Sequence, residues 1–111
     1  MIWRGEIYDF DLGQPVGHEP AFIRPALVVS ADLLNNGPGE LVTVVPVGSK
    51  AYGLRSHVEL ETGASGLEHL SFARCDQLRT VSTRRLLKRR GAATPEVMSR
   101  VDQVLRFVLD L

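Results

Sequence analysis

Several residues in the first half of the chain have the chemistry to bind an anion and to move a proton. Arg24 carries a planar, permanently charged guanidinium group that can bind two phosphate oxygens at once. His18, followed directly by Glu19, has an imidazole, a group that exchanges protons near neutral pH. Ser49 follows Gly48, so a hydroxyl stands beside a position where a backbone N–H can approach an anion closely. Together these residue types are typical of a phosphate-binding site at which a proton is transferred.

Each of these side chains also has a structural interpretation. Arg24 could serve only to fix the start of a strand, His18 could face solvent in a loop, and Ser49 could simply close a turn. Residue type alone leaves both interpretations open.

Further polar side chains lie in the second half of the chain. Gln77 and Arg79 are two residues apart on a predicted strand, so we expect them to share one face, although Gln77 could equally satisfy buried backbone groups. Residues 84–90 contain five basic side chains, which form either a solvated face or a surface for phosphate or an acidic partner. His57 and Glu59 share a face without a third ligand nearby, and we expect neither a metal site nor a cofactor.

Short strands separated by turns are the elements that must position these residues. Alternating or β-branched runs predict strands over residues 2–11, 25–30, 41–47 and 56–61, and two short strands or one bent strand over residues 71–81. Residues 13–20 contain two glycines and two prolines and predict a long loop that carries His18 toward Arg24. Pro46 predicts an edge or a bulge near the end of the third strand.

The end of the chain predicts a helix. Thr94 is a favourable N-cap, and Pro95 and Glu96 suit the first turn. Six apolar residues follow at helical spacing: Val97, Val101, Val104, Leu105, Val108 and Leu111. Phe107 lies off this stripe, which indicates a further contact surface. Strands first and a helix last predict a small, mostly antiparallel β-domain with a packed C-terminal helix.

Length, charge and cysteine content limit the class of protein. The 111 residues suffice for one domain, which we place at residues 1–111. The 13 basic and 13 acidic residues balance, which argues against a general nucleic-acid coat protein, although residues 61–111 hold nine basic against six acidic residues. Cys75 is the single cysteine, so an internal disulfide is excluded. No apolar run approaches the ~20 residues that span a bilayer, and Arg4 and Glu6 interrupt the start, so we predict a cytoplasmic protein without a signal peptide.

Six motifs, in order and covering almost the whole chain, resemble those of the MazF/PemK toxin family. They are Trp3-Arg4-Gly5-Glu6-Ile7-Tyr8, Gly17-His18-Glu19 with Arg24-Pro25-Ala26-Leu27-Val28-Val29-Ser30, the strand of residues 41–49, Ser56-His57-Val58-Glu59-Leu60, Asp76-Gln77-Leu78-Arg79-Thr80, and the helix containing Pro95-Glu96 and Val101-Asp102. Each motif alone is weak, whereas six in the family's order are specific.

This resemblance implies a fold, an activity and partners. The implied fold is a small, homodimeric SH3-like barrel of the CcdB/MazF/PemK kind. The implied activity is metal-independent, sequence-selective cleavage of single-stranded RNA, in which the 2′-hydroxyl attacks the adjacent phosphate. The products are a 2′,3′-cyclic phosphate and a 5′-hydroxyl. The implied partners are RNA and a cognate antitoxin on a separate chain, and we expect neither a membrane nor double-stranded DNA to bind the toxin alone.

The resemblance also implies roles for individual residues. The family's arginine of the R-P motif falls on Arg24, which we expect to stabilise the charge of the transition state. The family's threonine after V-P-V falls on Gly48, which has no hydroxyl, so Ser49 and His18 are the candidates to replace it. The residues that we expect to bind RNA are Glu19, Gly48, Lys50, Gln77 and Arg79.

Two other classes of function stay open at this point. One is a CcdB-like toxin that binds gyrase and cuts no RNA. The other is a catalytically impaired barrel that only binds RNA or antitoxin, which the missing hydroxyl at Gly48 makes credible. Arg24-Pro25 and the Asp76-Gln77-Leu78-Arg79 motif favour the nuclease, because they resemble the RNA-cutting branch of the family.

Overall fold

The strands and helices follow one another in the order expected from the sequence. A computed structural model describes residues 1–11, 13, 17 and 23–111. The elements in these residues are β1 (Glu6–Asp11), β2 (Ile23–Val28), α1 (Asp32–Asn35), β3 (Leu41–Gly48), β4 (His57–Leu60), β5 (Ser71–Arg74), β6 (Arg79–Ser82), β7 (Leu86–Ala92) and α2 (Pro95–Leu109). His18 and Glu19 lie outside the described residues.

The strands form one bent antiparallel sheet in the order β4-β5-β3-β2-β1-β7, with β6 also paired to β3. β3 pairs with three neighbours. Its residues up to Pro46 pair with β2 and β6, and Val47 and Gly48 pair with β5. Pro46, which has no N–H to donate, lies where β3 changes partner from β6 to β5, and β3 is an inner strand of the sheet rather than the expected edge. This exchange of partners bends the sheet into a barrel-like shape, and the predicted mostly-β fold is confirmed.

Two apolar clusters hold the sheet. The larger one lies between the sheet and α2 and contains Ile7, Leu27, Val45, Leu60 and Val101, all at most 1% exposed. The second contains Phe10, Ala26, Val28, Val42, Val44 and Val81. Successive strand residues alternate between the two clusters, as the period of two requires.

The helix α2 confirms the pattern at the end of the chain. The Thr94 hydroxyl accepts a hydrogen bond from the Val97 N–H at 3.3 Å, and Val97, Met98 and Val101 are buried. Phe107 is 48% exposed, and the Arg55 guanidinium lies 4.0 Å from the centre of its ring. In the part of the chain that is described, no helix is long and apolar enough to cross a membrane.

Three elements differ from the sequence-based prediction. β1 begins at Glu6 rather than at residue 2, because Gly5 has a φ of 95° and breaks the extended backbone. A short helix, α1, was not predicted, and neither was β7. The basic residues of β7 hide its strand pattern, because Arg89 and Arg90 pair with Glu6 and Asp9 of β1 instead of facing water freely.

The prediction that Gln77 and Arg79 share one face of a strand is wrong. Cys75–Gln77 forms a single 3₁₀ turn between β5 and β6, and Arg79 is the first residue of β6. The turn buries the thiol of Cys75, and this burial raises the pKa of Cys75 to about 12. Residues 71–81 are therefore two strands, one of the two alternatives that the pattern left open.

Candidate active site

An open pocket of about 330 Å³ lies where β2 begins and β3 ends. Its polar lining includes Arg24, Gly48, Ser49, Glu68 and His69. The sheet register explains why the first two meet. Ala26 lies opposite Pro46 in the β2–β3 pair, and the same register carried two residues further puts Arg24 opposite Gly48. The pairing of β2 with β3 thus brings three of the predicted site residues into one pocket.

Arg24 has an unneutralised charge in this pocket. Its side chain is partly buried, and it makes no hydrogen bond or ion pair with any other described residue. Arg90 also lines the pocket, but its Nη1 donates to the Asp9 carboxylate at 3.1 Å. The guanidinium group of Arg24 is therefore the one of these two that is available to a phosphate.

His69 is a site residue that the sequence analysis missed. It is exposed in the segment before β5 and lines the same pocket as Arg24 and Ser49. This segment folds back against β7, where the Ala92 N–H donates to the Ala64 carbonyl at 2.9 Å. A Cβ at Gly91 would lie only 2.5 Å from the backbone of Ser65, so the close approach needs glycine there. No local motif marks His69, because its position depends on this contact between distant segments.

Gly48 leaves room for a side chain from the neighbouring strand. A Cβ at this position would lie 2.8 Å from Cζ of Arg74 and closer still to its Nη2. The Arg74 guanidinium therefore fills the space next to Gly48. Ser49, one residue further along, is exposed at the pocket.

A second pocket, of about 190 Å³, lies on the other side of Arg74. It is lined by Tyr52, Leu54, His57, Arg74, Asp76 and Gln77. His57 Nε2 lies 3.2 Å from the Asp76 carboxylate. Three buried polar atoms around this pocket, His57 Nδ1, Arg74 Nε and Gln77 Oε1, have no hydrogen-bond partner among the described residues. Buried polar atoms are normally paired, so these three are candidates to contact a ligand.

The comparison with known protein families decides the class of this chain. A family model described as PemK-like, MazF-like toxin of type II toxin-antitoxin system matches residues 3–109. The chain belongs to this toxin family. The resemblance drawn from the six motifs is thereby confirmed.

Two curated relatives match this family member along its whole length. Endoribonuclease MazF9 of Mycobacterium tuberculosis is 36% identical over 118 residues, which cover 100% of this chain and 98% of the relative. Endoribonuclease EndoA of Bacillus subtilis is 31% identical over 112 residues, which cover 100% of this chain and 97% of the relative.

Solved structures confirm the fold. MazF from Deinococcus radiodurans superposes with a TM-score of 0.84 at 27% identity, covering 99% of this chain and 97% of that one. A mycobacterial endoribonuclease in complex with its cognate antitoxin superposes with a TM-score of 0.83 at 22% identity, covering 100% and 97% of the two chains.

The remaining predicted residues of this MazF/PemK-like toxin are spread over a wider area. Lys50 lies beside the second pocket, with its Nζ 5.1 Å from the centre of the Tyr52 ring, and Gln77 lines that pocket. Arg79 lies on β6 and lines neither pocket. Within the described residues, no three His, Cys, Asp or Glu side chains are grouped so as to hold a metal ion.

Proposed function

This toxin is an endoribonuclease, and we propose that it cuts single-stranded RNA without a metal ion. RNA carries its own nucleophile, the 2′-hydroxyl, which attacks the adjacent phosphorus in line while the bond to the 5′ oxygen breaks. The products are a 2′,3′-cyclic phosphate and a 5′-hydroxyl. The protein has to accept the 2′ proton, return a proton to the 5′ oxygen, and stabilise the negative charge of the pentavalent transition state.

The observation that carries this proposal is the composition of the larger pocket. The guanidinium of Arg24, which pairs with no described residue, shares the pocket with the hydroxyl of Ser49 and the imidazole of His69. Arg24 can hold two non-bridging oxygens of the phosphate and stabilise their charge in the transition state. It is a poor base, because a guanidinium does not lose its proton near neutral pH.

A histidine is the side chain best suited to the proton transfers. His69 lines the pocket, and we propose it as the general base or acid, with Ser49 as a hydrogen-bond donor to the phosphate. His18, with Glu19 beside it, stays a candidate for the same role from the segment that precedes Arg24. Lys50, Gln77 and Arg79 remain proposed RNA contacts outside the pocket.

The test uses purified protein, single-stranded RNA and EDTA. We expect cleavage at full rate in EDTA, with products that carry 2′,3′-cyclic phosphate and 5′-hydroxyl ends. Loss of cleavage in EDTA with recovery in magnesium would refute the metal-independent mechanism. Arg24→Ala is the control that excludes a contaminating nuclease.

A second candidate function is favoured by Gly48. A family member that lacks a hydroxyl at this position could bind RNA or antitoxin without cutting. The same assay separates the two functions, because a binding-only barrel would retain RNA on a filter and leave it intact.

We also propose two assemblies, a homodimer and a complex with a cognate antitoxin. A mycobacterial endoribonuclease of the same fold was solved in complex with its cognate antitoxin. We expect the antitoxin's C-terminal segment to cover residues 13–23 and 48–55 and so block the pocket. Light scattering at micromolar concentration tests the dimer, and a complex that still cuts RNA at full rate would refute the blocking.

A further inference from the structure

The space beside Gly48 is filled by the side chain of Arg74 in this chain. Gly48 is opposite Phe72 in the β3–β5 pair, and Arg74 is two residues further along β5, so its side chain leaves the same face of the sheet. A side chain at position 48 would collide with the Arg74 guanidinium, whose Cζ would lie 2.8 Å from the added Cβ. The guanidinium group of Arg74 therefore occupies the space that a side chain of residue 48 would fill.

Aromatic packing fixes the direction of Arg74. Its Cζ lies 5.4 Å from the centre of the Tyr52 ring, within the range of a cation–π contact. The Tyr52 ring also lies edge-on to His57, with 6.0 Å between the ring centres, and His57 is opposite Arg74 in the β4–β5 pair. Tyr52 thus acts as a positioning residue that directs the guanidinium group toward Gly48.

The charge of Arg74 is not neutralised within the described part of the chain. The described ion pairs join Arg4, Arg89, Arg90 and His57 to carboxylates and leave Arg74 out. Asp76 lines the same pocket, but its carboxylate is next to His57. The Nε of Arg74 is buried without an acceptor, although buried donors are normally paired. Lys50, whose Nζ lies 5.1 Å from the centre of the Tyr52 ring, adds a second cation rather than an anion.

We infer that Arg74 binds a phosphate of the RNA beside Gly48 and takes over the contact that a side chain at position 48 would otherwise make. The ligand that these observations favour is an oxyanion, because the cations of Arg74 and Lys50 both lie against the Tyr52 ring and the Nε–H of Arg74 has no acceptor among the described residues. The inference rests on the proposed function in that the phosphate belongs to a single-stranded RNA. Arg74 itself lines the second pocket, and its guanidinium group lies next to Gly48, which lines the larger pocket.

The first experiment measures binding rather than cleavage. The probe is a single-stranded 2′-fluoro RNA of mixed sequence, which has no 2′-hydroxyl and cannot be cut, and its affinity is followed by fluorescence anisotropy from 50 to 300 mM salt. Each phosphate contact contributes about 0.7 to the slope of log K against log salt for a single strand. We expect Arg74→Gln to lower the magnitude of this slope by about 0.7, and Arg74→Lys to retain it.

A matched control separates a phosphate contact from a general loss of positive charge. Arg100 is exposed on α2 and lines neither pocket, so Arg100→Gln should leave the slope unchanged. Thermal melting checks that each variant is folded. An unchanged slope in folded Arg74→Gln, or failure of the wild-type protein to bind the probe, would overturn the inference. Absence of cleavage with a normal slope would overturn the proposed nuclease function alone.

The second experiment removes the guanidinium group of residue 74 and adds a hydroxyl at residue 48, separately and together. We expect Arg74→Gln to slow cleavage about 100-fold, the usual scale for loss of a charge-stabilising donor. Gly48→Thr alone should also be slow, because the new side chain displaces the guanidinium group. In the double variant the threonine hydroxyl occupies the freed space, so we expect cleavage at least tenfold faster than in Arg74→Gln. Full activity in Arg74→Gln, or a double variant as slow as the two losses combined, would contradict the exchange.

Discussion

Two sets of arginines in this molecule differ in whether a carboxylate lies beside them. Arg89 and Arg90 on β7 face the carboxylates of Glu6 and Asp9 on β1, at 2.5 and 3.1 Å. Arg24 and Arg74, at the opposite ends of β2 and β5, have no ion pair with any described residue. All four side chains lie on the same sheet, so they differ in whether a carboxylate is within reach and not in the kind of secondary structure that carries them.

Arg89 and Arg90 stabilise the sheet through ion pairs, whereas Arg24 and Arg74 are free of ion pairs with the described residues and can bind a ligand. The β1–β7 pair is complete, because Glu6 also accepts hydrogen bonds from the Trp3 N–H at 2.6 Å and the Tyr8 hydroxyl at 3.1 Å. Around Arg74, in contrast, buried donors and acceptors have no hydrogen-bond partner in the described part of the chain. A structure that satisfies one set of charges and not the other indicates where an external anion binds.

The largest effect is expected from removing an unpaired arginine. Arg24→Ala should reduce the rate of RNA cleavage about 10²–10³-fold, because the transition state loses a charge-stabilising donor. Melting temperature should stay near that of the wild type, since Arg24 makes no ion pair with any residue that the structure describes. Arg89→Ala is the matched control and should do the reverse, lowering stability while the rate is retained. Wild-type cleavage by folded Arg24→Ala would show that this arginine is structural.

A second prediction concerns the histidine in the larger pocket. His69→Ala should slow cleavage about 100-fold, the lower end of the range for loss of a general acid or base. The dependence of the rate on pH should flatten in the variant, because the side chain proposed to transfer the proton is absent. His18→Ala is measured in parallel. If His18→Ala is slow with a flat profile while His69→Ala is normal, the proton transfer belongs to His18 rather than to His69.

A smaller effect is expected where charges are already paired. Burial raises the pKa of Glu6, but the hydrogen bonds from Arg89, the Trp3 N–H and Tyr8 outweigh it, so the pKa lies below its usual value of 4.5. The stabilisation is therefore present above about pH 4.5 and is lost as the pH falls through the lowered value. Glu6→Gln should cost about 1–3 kcal/mol of unfolding free energy at pH 7.

Urea unfolding at two pH values tests this prediction. The difference between wild type and Glu6→Gln should be smaller at the acidic pH than at pH 7, because the wild-type carboxylate takes up its proton as the pH falls. A difference of the same size at both pH values would show that shape rather than charge makes Glu6 necessary.

The smallest effect is expected at the boundary between the two regions. Arg90 lines the larger pocket but is paired with Asp9, with about a quarter of each side chain exposed. Asp9→Asn should cost only about 0.5–1 kcal/mol of stability, as for other partly exposed ion pairs. It should also release Arg90 toward RNA and increase the salt dependence of binding. Weaker binding in this variant would argue that Arg90 must stay paired to shape the pocket.

The sequence predicted those parts of the fold that local patterns encode. The strands β2 to β4 and the helix α2 follow from alternation, β-branched residues and the Thr94 cap. β7 was missed, because an edge strand rich in arginine resembles a solvated segment until its partners on β1 are known. Gln77 and Arg79 were placed on one face because nothing local marks the 3₁₀ turn between them.

The candidate site divides in the same way. Arg24, Gly48 and Ser49 were found from motifs, and the pairing of β2 with β3 brings them together. His69 and Arg74 were missed, because each reaches the site through contacts between segments far apart in the chain. The one feature of the sequence that relates to the position of Arg74 is Gly48, whose missing side chain leaves room for the guanidinium group.

The pairing of β1 with β7 has a consequence for the order in which the protein folds. Glu6 lies opposite Ala92, so the first strand to leave the ribosome gains its second neighbour only when the last strand has been made. β7 also supplies Arg90 to the larger pocket and supports the segment that carries His69. The larger pocket is therefore incomplete until β7 has paired with β1. Because contacts between distant segments form slowly, we expect this pocket to be among the last parts of the fold to be completed.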